Sequence, residues 1–224
     1  GPKTTTDSLI VRLDPADKNS YPGSGTTVTD LTGNGHHGQL TTAPTFSTLA
    51  SGCFDHGADT GQVIRINANS VFTTAKSWEI WFNPDTIPAS NTFDSIFQQS
   101  SNWNGATGIS MQMIYGNLTW SWGSSWAGTC SISLSNLTTG RWYHAVGTTD
   151  GTTGTDKGKL YLNGVLKDTG TSSAIPNTYT PNVKIGDGNG GNIDGKTSCF
   201  SVYSKELSAK EVLANYLALK SRFA

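Results

Sequence analysis

The chain is poor in charged residues and has no long apolar run. Charged side chains make up 14% of the 224 residues, and the formal net charge at pH 7 is −1. Proteins that bind nucleic acids carry a basic patch that neutralises phosphates, so we expect no nucleic-acid partner. No segment approaches the roughly 18 apolar residues that a membrane-spanning helix needs, so we also expect no membrane insertion.

Cysteine is scarce as well. Cys53, Cys130 and Cys199 are odd in number, so they cannot all pair within one chain, and their spacing matches no zinc motif. The residues alone favour three buried, reduced thiols that act as small hydrophobic side chains. The G-x-S-x-G motif that presents a catalytic serine in α/β-hydrolases is also absent.

What the chain does contain is typical of many short β-strands. It has 26 glycines, and short alternating segments are separated by turn residues. Leu160 and Leu162 alternate with polar residues and lead into Asn163-Gly164, a pair that favours a type I′ turn between two antiparallel strands. Thirteen such segments predict an all-β fold, a two-sheet antiparallel β-sandwich.

One short helix is predicted at the C-terminus, over residues 208–222. Ser208 is a suitable N-cap, and Glu211 three residues later completes a capping box. The residues that follow place apolar side chains on one side of the helix. We expect this helix to pack against the sandwich, or against a neighbour if the chain is part of something larger.

Five segments in chain order resemble one known family. They are residues 20–40 (SYPGSGTTVTDLTGNGHHGQL), 54–63, 77–84 (SWEIWFNP), 141–166 and 201–216 (SVYSKELSAKEVLANY). They resemble the laminin G-like (LamG) jelly rolls of the concanavalin A-like lectin/glucanase superfamily, of the type often found in phage and viral surface proteins. The resemblance implies a concanavalin A-like jelly roll.

The same resemblance, with a uniform composition, predicts a single LamG-like domain over residues 1–224. Residues 1–7 are expected to form an N-terminal tail, and Gly1-Pro2 looks like the scar left by removal of a tag. The family places the segments of Cys53 and Cys199 on one sheet. The resemblance therefore adds a Cys53–Cys199 disulfide as the alternative to three free thiols.

The resemblance also raises the question of calcium, because many sandwiches of this superfamily hold a structural Ca²⁺ through loop oxygens. The candidate ligands are Asp30, Asp55, Asp59, Asp187 and Asp194. The alternative is that these acids only shape turns. Related sequences often carry acids where this chain has Ser198 and Cys199, and that departure argues against calcium.

Some members of the superfamily are glucanases, whose active strand carries three carboxylates in an E-x-D-x-x-E pattern. Here Glu79 is the only acid on the predicted strand 77–82, and Asp85 lies beyond Pro84, which ends the strand. We therefore predict that the protein is not an enzyme. His144, alone on an apolar strand, is expected to be a hydrogen-bonded core residue.

Aromatic and amide residues crowd one segment of the chain and predict a ligand site. Flat aromatic rings stack on sugars while amides orient the hydroxyl groups. The predicted ligand-binding residues are Asn102, Trp103, Asn104, Tyr115, Trp120, Trp122 and Trp126. The alternative for Trp120 and Trp122, which share a strand face, is that they fill the sandwich core. Trp78 and Trp142 are assigned to packing.

These features favour a non-catalytic carbohydrate or cell-surface binding module, displayed on a virion or another extracellular surface. Its partner would be a glycan or a cell-surface receptor, with other virion or surface proteins as further partners. One alternative is a structural or adhesive virion component, a capsid or tail appendage, without a sugar ligand. A second alternative is a glycoside hydrolase-like enzyme.

Overall fold

A computed structural model describes residues 2–57, 61–67, 70–100, 108–123, 127–173, 182–188 and 191–224. The described part contains sixteen strands and one α-helix. The strands are β1 (Leu9–Leu13), β2 (Thr27–Val28), β3 (Gly38–Thr41), β4 (Thr45–Ser47), β5 (Cys53–Asp55), β6 (Val63–Ile66), β7 (Ser77–Pro84), β8 (Phe93–Ser100), β9 (Gly108–Ile114), β10 (Asn117–Gly123), β11 (Gly128–Ser133), β12 (Tyr143–Thr149), β13 (Gly154–Leu162), β14 (Val165–Ser172), β15 (Val183–Ile185) and β16 (Gly195–Tyr203). The helix is α1 (Ala209–Leu219).

The strands form one antiparallel path that folds back on itself to give two facing sheets. The first sheet has the order β2, β3, β6, β15, β8, β9, β10, β11; the second has the order β14, β13, β12, β7, β16, β5, β4, with β1 also paired to β16. Only Gly128 and Ser172 pair between β11 and β14, where the path passes from one sheet to the other. The predicted two-sheet antiparallel sandwich is confirmed.

Aromatic rings from both sheets fill the space between them. Trp78 on β7 stacks on Phe97 of β8 with ring centroids 5.7 Å apart. Trp120 of β10 lies against Gly147 of β12, where an added Cβ would come within 2.1 Å of the indole. This glycine therefore makes room for the tryptophan of the opposite sheet. The assignment of Trp78 to packing is confirmed by its complete burial.

The turn predicted at Asn163-Gly164 is present between β13 and β14. Both residues have positive φ, 51° and 79°, as a type I′ turn requires. The turn lies close to the helix, since a Cβ added to Gly164 would be 3.0 Å from Leu213 and 3.1 Å from Tyr216. The hairpin and the helix therefore support each other.

The helix forms as predicted and covers the outer face of the second sheet. Ser208 and Glu211 make both hydrogen bonds of the capping box. The predicted range 208–222 divides into α1 and a short 3₁₀ turn over Lys220–Arg222. A polar contact also holds the helix in place. The side chain of Asn215 is fully buried, and its Nδ2 donates a hydrogen bond to Glu79 Oε2 on β7 at 2.6 Å.

Strand β12 consequently buries both of its faces. Tyr143 and Ala145 face the core between the sheets. On the outer side, Trp142 packs against Phe223 with ring centroids 4.9 Å apart. The predicted packing of Trp142 therefore takes place outside the sandwich core, because the C-terminal segment covers this face of the sheet.

The three cysteines are free and buried, so the prediction of reduced thiols is confirmed and the alternative Cys53–Cys199 disulfide is wrong. Strands β5 and β16 pair with Phe54 opposite Thr197, and the next step of that register places Ser198, not Cys199, opposite Cys53. Burial raises the pKa of Cys199 to about 12. Its Sγ accepts a hydrogen bond from Arg222 Nη1 at 3.1 Å.

Candidate binding site

Trp120 and Trp122 lie in the sandwich core. Their side chains are 0% and 1% exposed. Trp120 Nε1 donates to the carbonyl of Thr148 at 3.1 Å, and Trp122 Nε1 donates to Ser172 Oγ at 3.0 Å. Their prediction as ligand-binding residues is therefore wrong, because neither ring has a free face. The core-filling alternative is correct for both.

Tyr115 is exposed and lies at the turn end of the β9–β10 hairpin. It occupies the turn between β9 and β10, with a φ of 49°, and is 66% exposed. Gly108 and Gly123 pair at the opposite end of the same two strands, which is about 20 Å away for seven residues of strand. Asn102, Trp103, Asn104 and Trp126 lie outside the described residues.

The strand ends that flank those four residues are neighbours. Ser100 pairs with Gly108, and Gly108 pairs with Gly123. Segments 101–107 and 124–126 thus leave from adjacent positions at one end of the first sheet. Sequence reasoning combined Tyr115 with them only because the residues are close along the chain.

A row of polar side chains crosses the outer face of the first sheet. Its members are opposite one another in the strand register, and they alternate with the apolar residues that face the core. This polar row consists of Thr27, Gln39, Arg65, Lys184, Gln98, Ser110, Gln112, Thr119, Ser121, Thr129 and Ser131. It contains hydroxyls, amides and two cations but no carboxylate.

The middle of the polar row is buried and internally hydrogen-bonded. Gln112 Nε2 donates to Ser95 Oγ at 3.0 Å, and Ser110 Oγ donates to Gln112 Oε1 at 3.3 Å. At the edge of this sheet, Thr129 and Ser131 on β11 are exposed. The row thus offers an ordered set of donors and acceptors with an accessible margin.

Sequence analysis missed the row because its members come from eight strands. The available signal was local: Ser110 and Gln112, and Thr119 and Ser121, are polar residues two apart on strands whose other positions are apolar. Such pairs mark the outer face of each strand. Only the register shows that the pairs are side by side.

Glu79, the only acid on β7, is part of a buried network beneath the helix. Its Oε1 lies 3.0 Å from His144 Nε2, and its Oε2 accepts from Asn215 Nδ2 at 2.6 Å and Tyr203 Oη at 3.3 Å. Burial raises the pKa of Glu79, but the electrostatic interaction with His144 and these hydrogen bonds outweigh it, so the net shift is downward. This carboxylate is structural and has no access to a substrate. His144 is buried, as expected, but its Nδ1 has no hydrogen-bond partner among the described residues.

A second carboxylate was not recognised in the sequence. Burial and the nearby charge of Asp194 raise the pKa of Asp94 to about 6. Asp94 is on β8, beside Ser95 and the polar row, whereas Asp194 precedes β16. The two residues are far apart in the chain, so no spacing pattern indicated that they would meet.

The contacts of the candidate calcium ligands show what their carboxylates bind. Asp30 accepts hydrogen bonds from the backbone nitrogens of Arg12, Thr32 and His36, so its oxygens shape a turn. Asp55 caps the backbone of Gly57 at 3.2 Å and lies 3.4 Å from Lys196 Nζ. These contacts fit turn chemistry rather than a cation.

The other three candidates do not complete a site. Asp59 lies outside the described residues. Asp187 and Asp194 belong to the connection between β15 and β16, where the carboxylate near Asp194 is Asp94. In the part of the chain that the structure describes, no three acidic, histidine or cysteine side chains come together to hold a metal. We therefore derive no chemistry from calcium.

Comparison with solved structures shows a likeness to botulinum neurotoxin binding domains. The receptor-binding domain of the C/D mosaic serotype matches with a TM-score of 0.73 and 20% identity over 94% of this chain. The binding domain of serotype DC matches with a TM-score of 0.70 in its complexes with SialylT, at 18% identity, and with rat synaptotagmin II, at 17% identity, each over 95% of this chain. The chain spans about half the length of these proteins, 51–52%. At this level of identity the likeness shows the fold.

The sequence comparisons agree with that fold. No curated protein sequence matches the chain significantly. Across the described ranges, no helix is long and apolar enough to cross a membrane. A laminin G-like family model, described as the concanavalin A-like lectin/glucanases superfamily, matches residues 57–213. The chain belongs to this superfamily.

Proposed function

We propose that the protein is a non-catalytic binding module that acts outside the cell and recognises a glycan or a glycan-bearing receptor. The observation that carries this proposal is the polar row, a set of hydroxyl and amide groups with two cations across the first sheet that ends in exposed Thr129 and Ser131. Sugar hydroxyls need directional donors and acceptors of this kind. A toxin binding domain with the same fold supports it, since the binding domain of botulinum neurotoxin DC is seen in complex with SialylT and in complex with rat synaptotagmin II.

The proposed contact surface is the end of the first sheet where Ser100, Gly108 and Gly123 lie together. The segments that leave from there supply Asn102, Trp103, Asn104 and Trp126. Indole rings would stack on the apolar face of a sugar, while the amides and the margin of the polar row bind its hydroxyls. A tryptophan brings about 150–250 Å² of apolar surface to such a contact.

Free sugars held in this way bind at roughly millimolar affinity, which corresponds to about −4 kcal/mol. Attachment to a cell would then require many copies acting together. Display on a virion or a comparable particle would provide them, and we place the protein there on that argument.

A glycan array with the protein displayed on multivalent beads tests the proposal. Trp103→Ala and Trp126→Ala should each reduce binding about tenfold, a loss of about 1.4 kcal/mol per site. Tyr115→Ala is the matched control, because it removes an exposed aromatic residue from the opposite end of the sheet. Equal binding by all three variants and the unaltered protein would reject this surface. Absence of any glycan or cell binding, together with self-association in light scattering, would favour the structural virion component.

A glycoside hydrolase remains the second candidate because of one observation. An acid with a raised pKa beside another acid, as for Asp94 and Asp194, resembles the pair that such enzymes use. We expect no turnover of aryl glycosides at pH 5–7. Turnover that Asp94→Asn abolishes would establish the enzyme instead.

A further inference from the structure

Two adjoining clefts lie on the outer face of the second sheet, on the side opposite the polar row. Their volumes are about 440 and 330 Å³, within the range of small-molecule sites. They share Trp142 and Phe223 in their walls, so we treat them as one C-terminal cleft. Neither the predicted aromatic segment nor the polar row contributes a residue to it.

The walls of the C-terminal cleft contain buried polar atoms without a partner. Asn83 lines the larger part and is only 4% exposed, yet its Oδ1 accepts no hydrogen bond from the described residues. Trp81 lines the smaller part, and its Nε1 likewise has no acceptor among them. A buried polar group left unpaired costs about 1–3 kcal/mol. A ligand that supplies a donor and an acceptor here would recover part of that cost.

Aromatic rings make one wall of the cleft flat and rigid. Phe223 stacks on Trp81 with ring centroids 4.1 Å apart and an interplanar angle of 12°. Trp142 is partly exposed and leans against Phe223. Because these rings already hold one another, Trp142 would lose little conformational freedom when a ligand stacks on it.

The charged side chains of the cleft are all cationic, and its lining also includes Ala224, the last residue of the sequence. Its larger part is lined by Arg141 and Arg222, its smaller part by Lys220, and no acidic side chain lines either part. Arg222 is already committed, because it binds Asp14 Oδ1 at 2.7 Å. Arg141 is exposed and has no hydrogen bond or ion pair with the described residues. It is therefore available to a ligand in the larger part of the cleft.

We propose that the C-terminal cleft binds a sugar residue that carries a carboxylate. The carboxylate would pair with Arg141, a ring hydroxyl would donate to Asn83 Oδ1, and the apolar ring face would stack on Trp142. An anion is required because the wall is cationic, and a ring with hydroxyls is required because the unpartnered groups are neutral. Arginine binds carboxylates through paired, charge-assisted hydrogen bonds.

This inference is independent of the function proposed above. The cleft and the end of the first sheet lie on different sheets and share no residue, so either site can exist without the other. A protein with both sites would hold one glycan chain, or two, at separate points.

The test compares methyl β-glucuronide with methyl β-glucoside, which differ only in the carboxylate. Titration is followed through the tryptophan indole signals in ¹H–¹⁵N NMR spectra. We expect the glucuronide to bind at roughly millimolar affinity and to shift the signals of Trp81 and Trp142. The glucoside should bind about tenfold more weakly.

Two variants make the test specific. Arg141→Gln should weaken glucuronide binding about tenfold, to the level of the glucoside. Lys167→Gln, which removes the same charge from an exposed position on β14, should leave it unchanged. Glucuronide and glucoside binding equally, equal effects of the two variants, or no shift at Trp142 would each overturn the proposal. Loss of the Trp103-dependent glycan binding would leave this result unaffected.

Discussion

The two outer faces of the sandwich come from the same strand alternation but differ in chemistry. The first sheet presents the polar row, whose central residues bond mainly to one another. The second sheet presents Glu79, Trp81 and His144, which lie under the C-terminal helix. Polar atoms are buried on both faces and need partners. The first sheet supplies them from its own strands, whereas the second sheet draws part of them from the helix.

The carboxylates near the two faces show the difference most clearly. Glu79 beneath the helix has a histidine and two hydrogen-bond donors, so its pKa is lowered in spite of burial. Asp94 beside the polar row meets burial and another acid, so its pKa is raised to about 6. On the second sheet, Asn215 of the helix supplies a hydrogen-bond donor to Glu79. Beside the first sheet, Asp94 instead lies near the negative charge of Asp194.

The largest expected effect is at Glu79. Glu79→Gln should destabilise the protein by about 3 kcal/mol at pH 7, because it removes a buried carboxylate that contacts His144 and accepts hydrogen bonds from Asn215 and Tyr203. Urea unfolding measures the change. Asp85→Asn is the control, since it removes an acid that is largely exposed and paired with Lys196; its effect should stay within about 1 kcal/mol.

The effect of Glu79→Gln should also depend on pH. A lowered pKa means that Glu79 stabilises the fold above its unfolded value near 4.5 and loses that contribution as the pH falls through the folded value. The difference between Glu79→Gln and the unaltered protein should therefore shrink below pH 4.5. A difference that stayed constant from pH 7 to pH 3.5 would show that the charge of Glu79 contributes nothing.

The next effect concerns how closely the helix packs on the second sheet. Gly164→Val should cost about 1–3 kcal/mol because valine is strained at a φ of 79°. Gly116→Val is a matched control on the first sheet, with a φ of 77° and no atom within 4 Å of an added Cβ. Because a Cβ added at position 164 would also come within 3.0 Å of Leu213, Gly164→Val should cost more than Gly116→Val. Equal decreases in melting temperature for the two variants would show that the helix can move away from the added valine without a loss of stability.

The features that could be predicted from the sequence are local ones. The Asn163-Gly164 turn and the capping box of Ser208 and Glu211 are specified within a few residues, and both are present. The alternation of Trp120 and Trp122 placed them on one face but did not show which face was buried. That choice depends on Gly147 of the opposite sheet, which makes room for Trp120.

The candidate sites could be predicted less well, because they depend on contacts between distant segments. The polar row requires the register of eight strands, and the C-terminal cleft requires Phe223 to meet Trp81 and Trp142. Sequence proximity instead grouped the exposed Tyr115 with Trp120 and Trp122, which are buried in the core. Aromatic composition indicated binding without indicating where.

The smallest expected effect has the opposite sign and is located at Asp94. A raised pKa means that the contribution of Asp94 to stability is complete below the unfolded value of 3.8 and is lost as the pH rises through about 6. Asp94→Asn removes the repulsion with Asp194, so it should stabilise the protein at pH 7.5. Because Asp94 is partly solvated, we expect a gain of only about 1 kcal/mol, or about 2–4 °C in melting temperature.

At pH 4 the gain should vanish, since Asp94 is then protonated in the folded protein. Thermal unfolding in EDTA at both pH values measures this, and a variant less stable than the unaltered protein at pH 7.5 would mean that Asp94 has a favourable partner instead of a repulsive one.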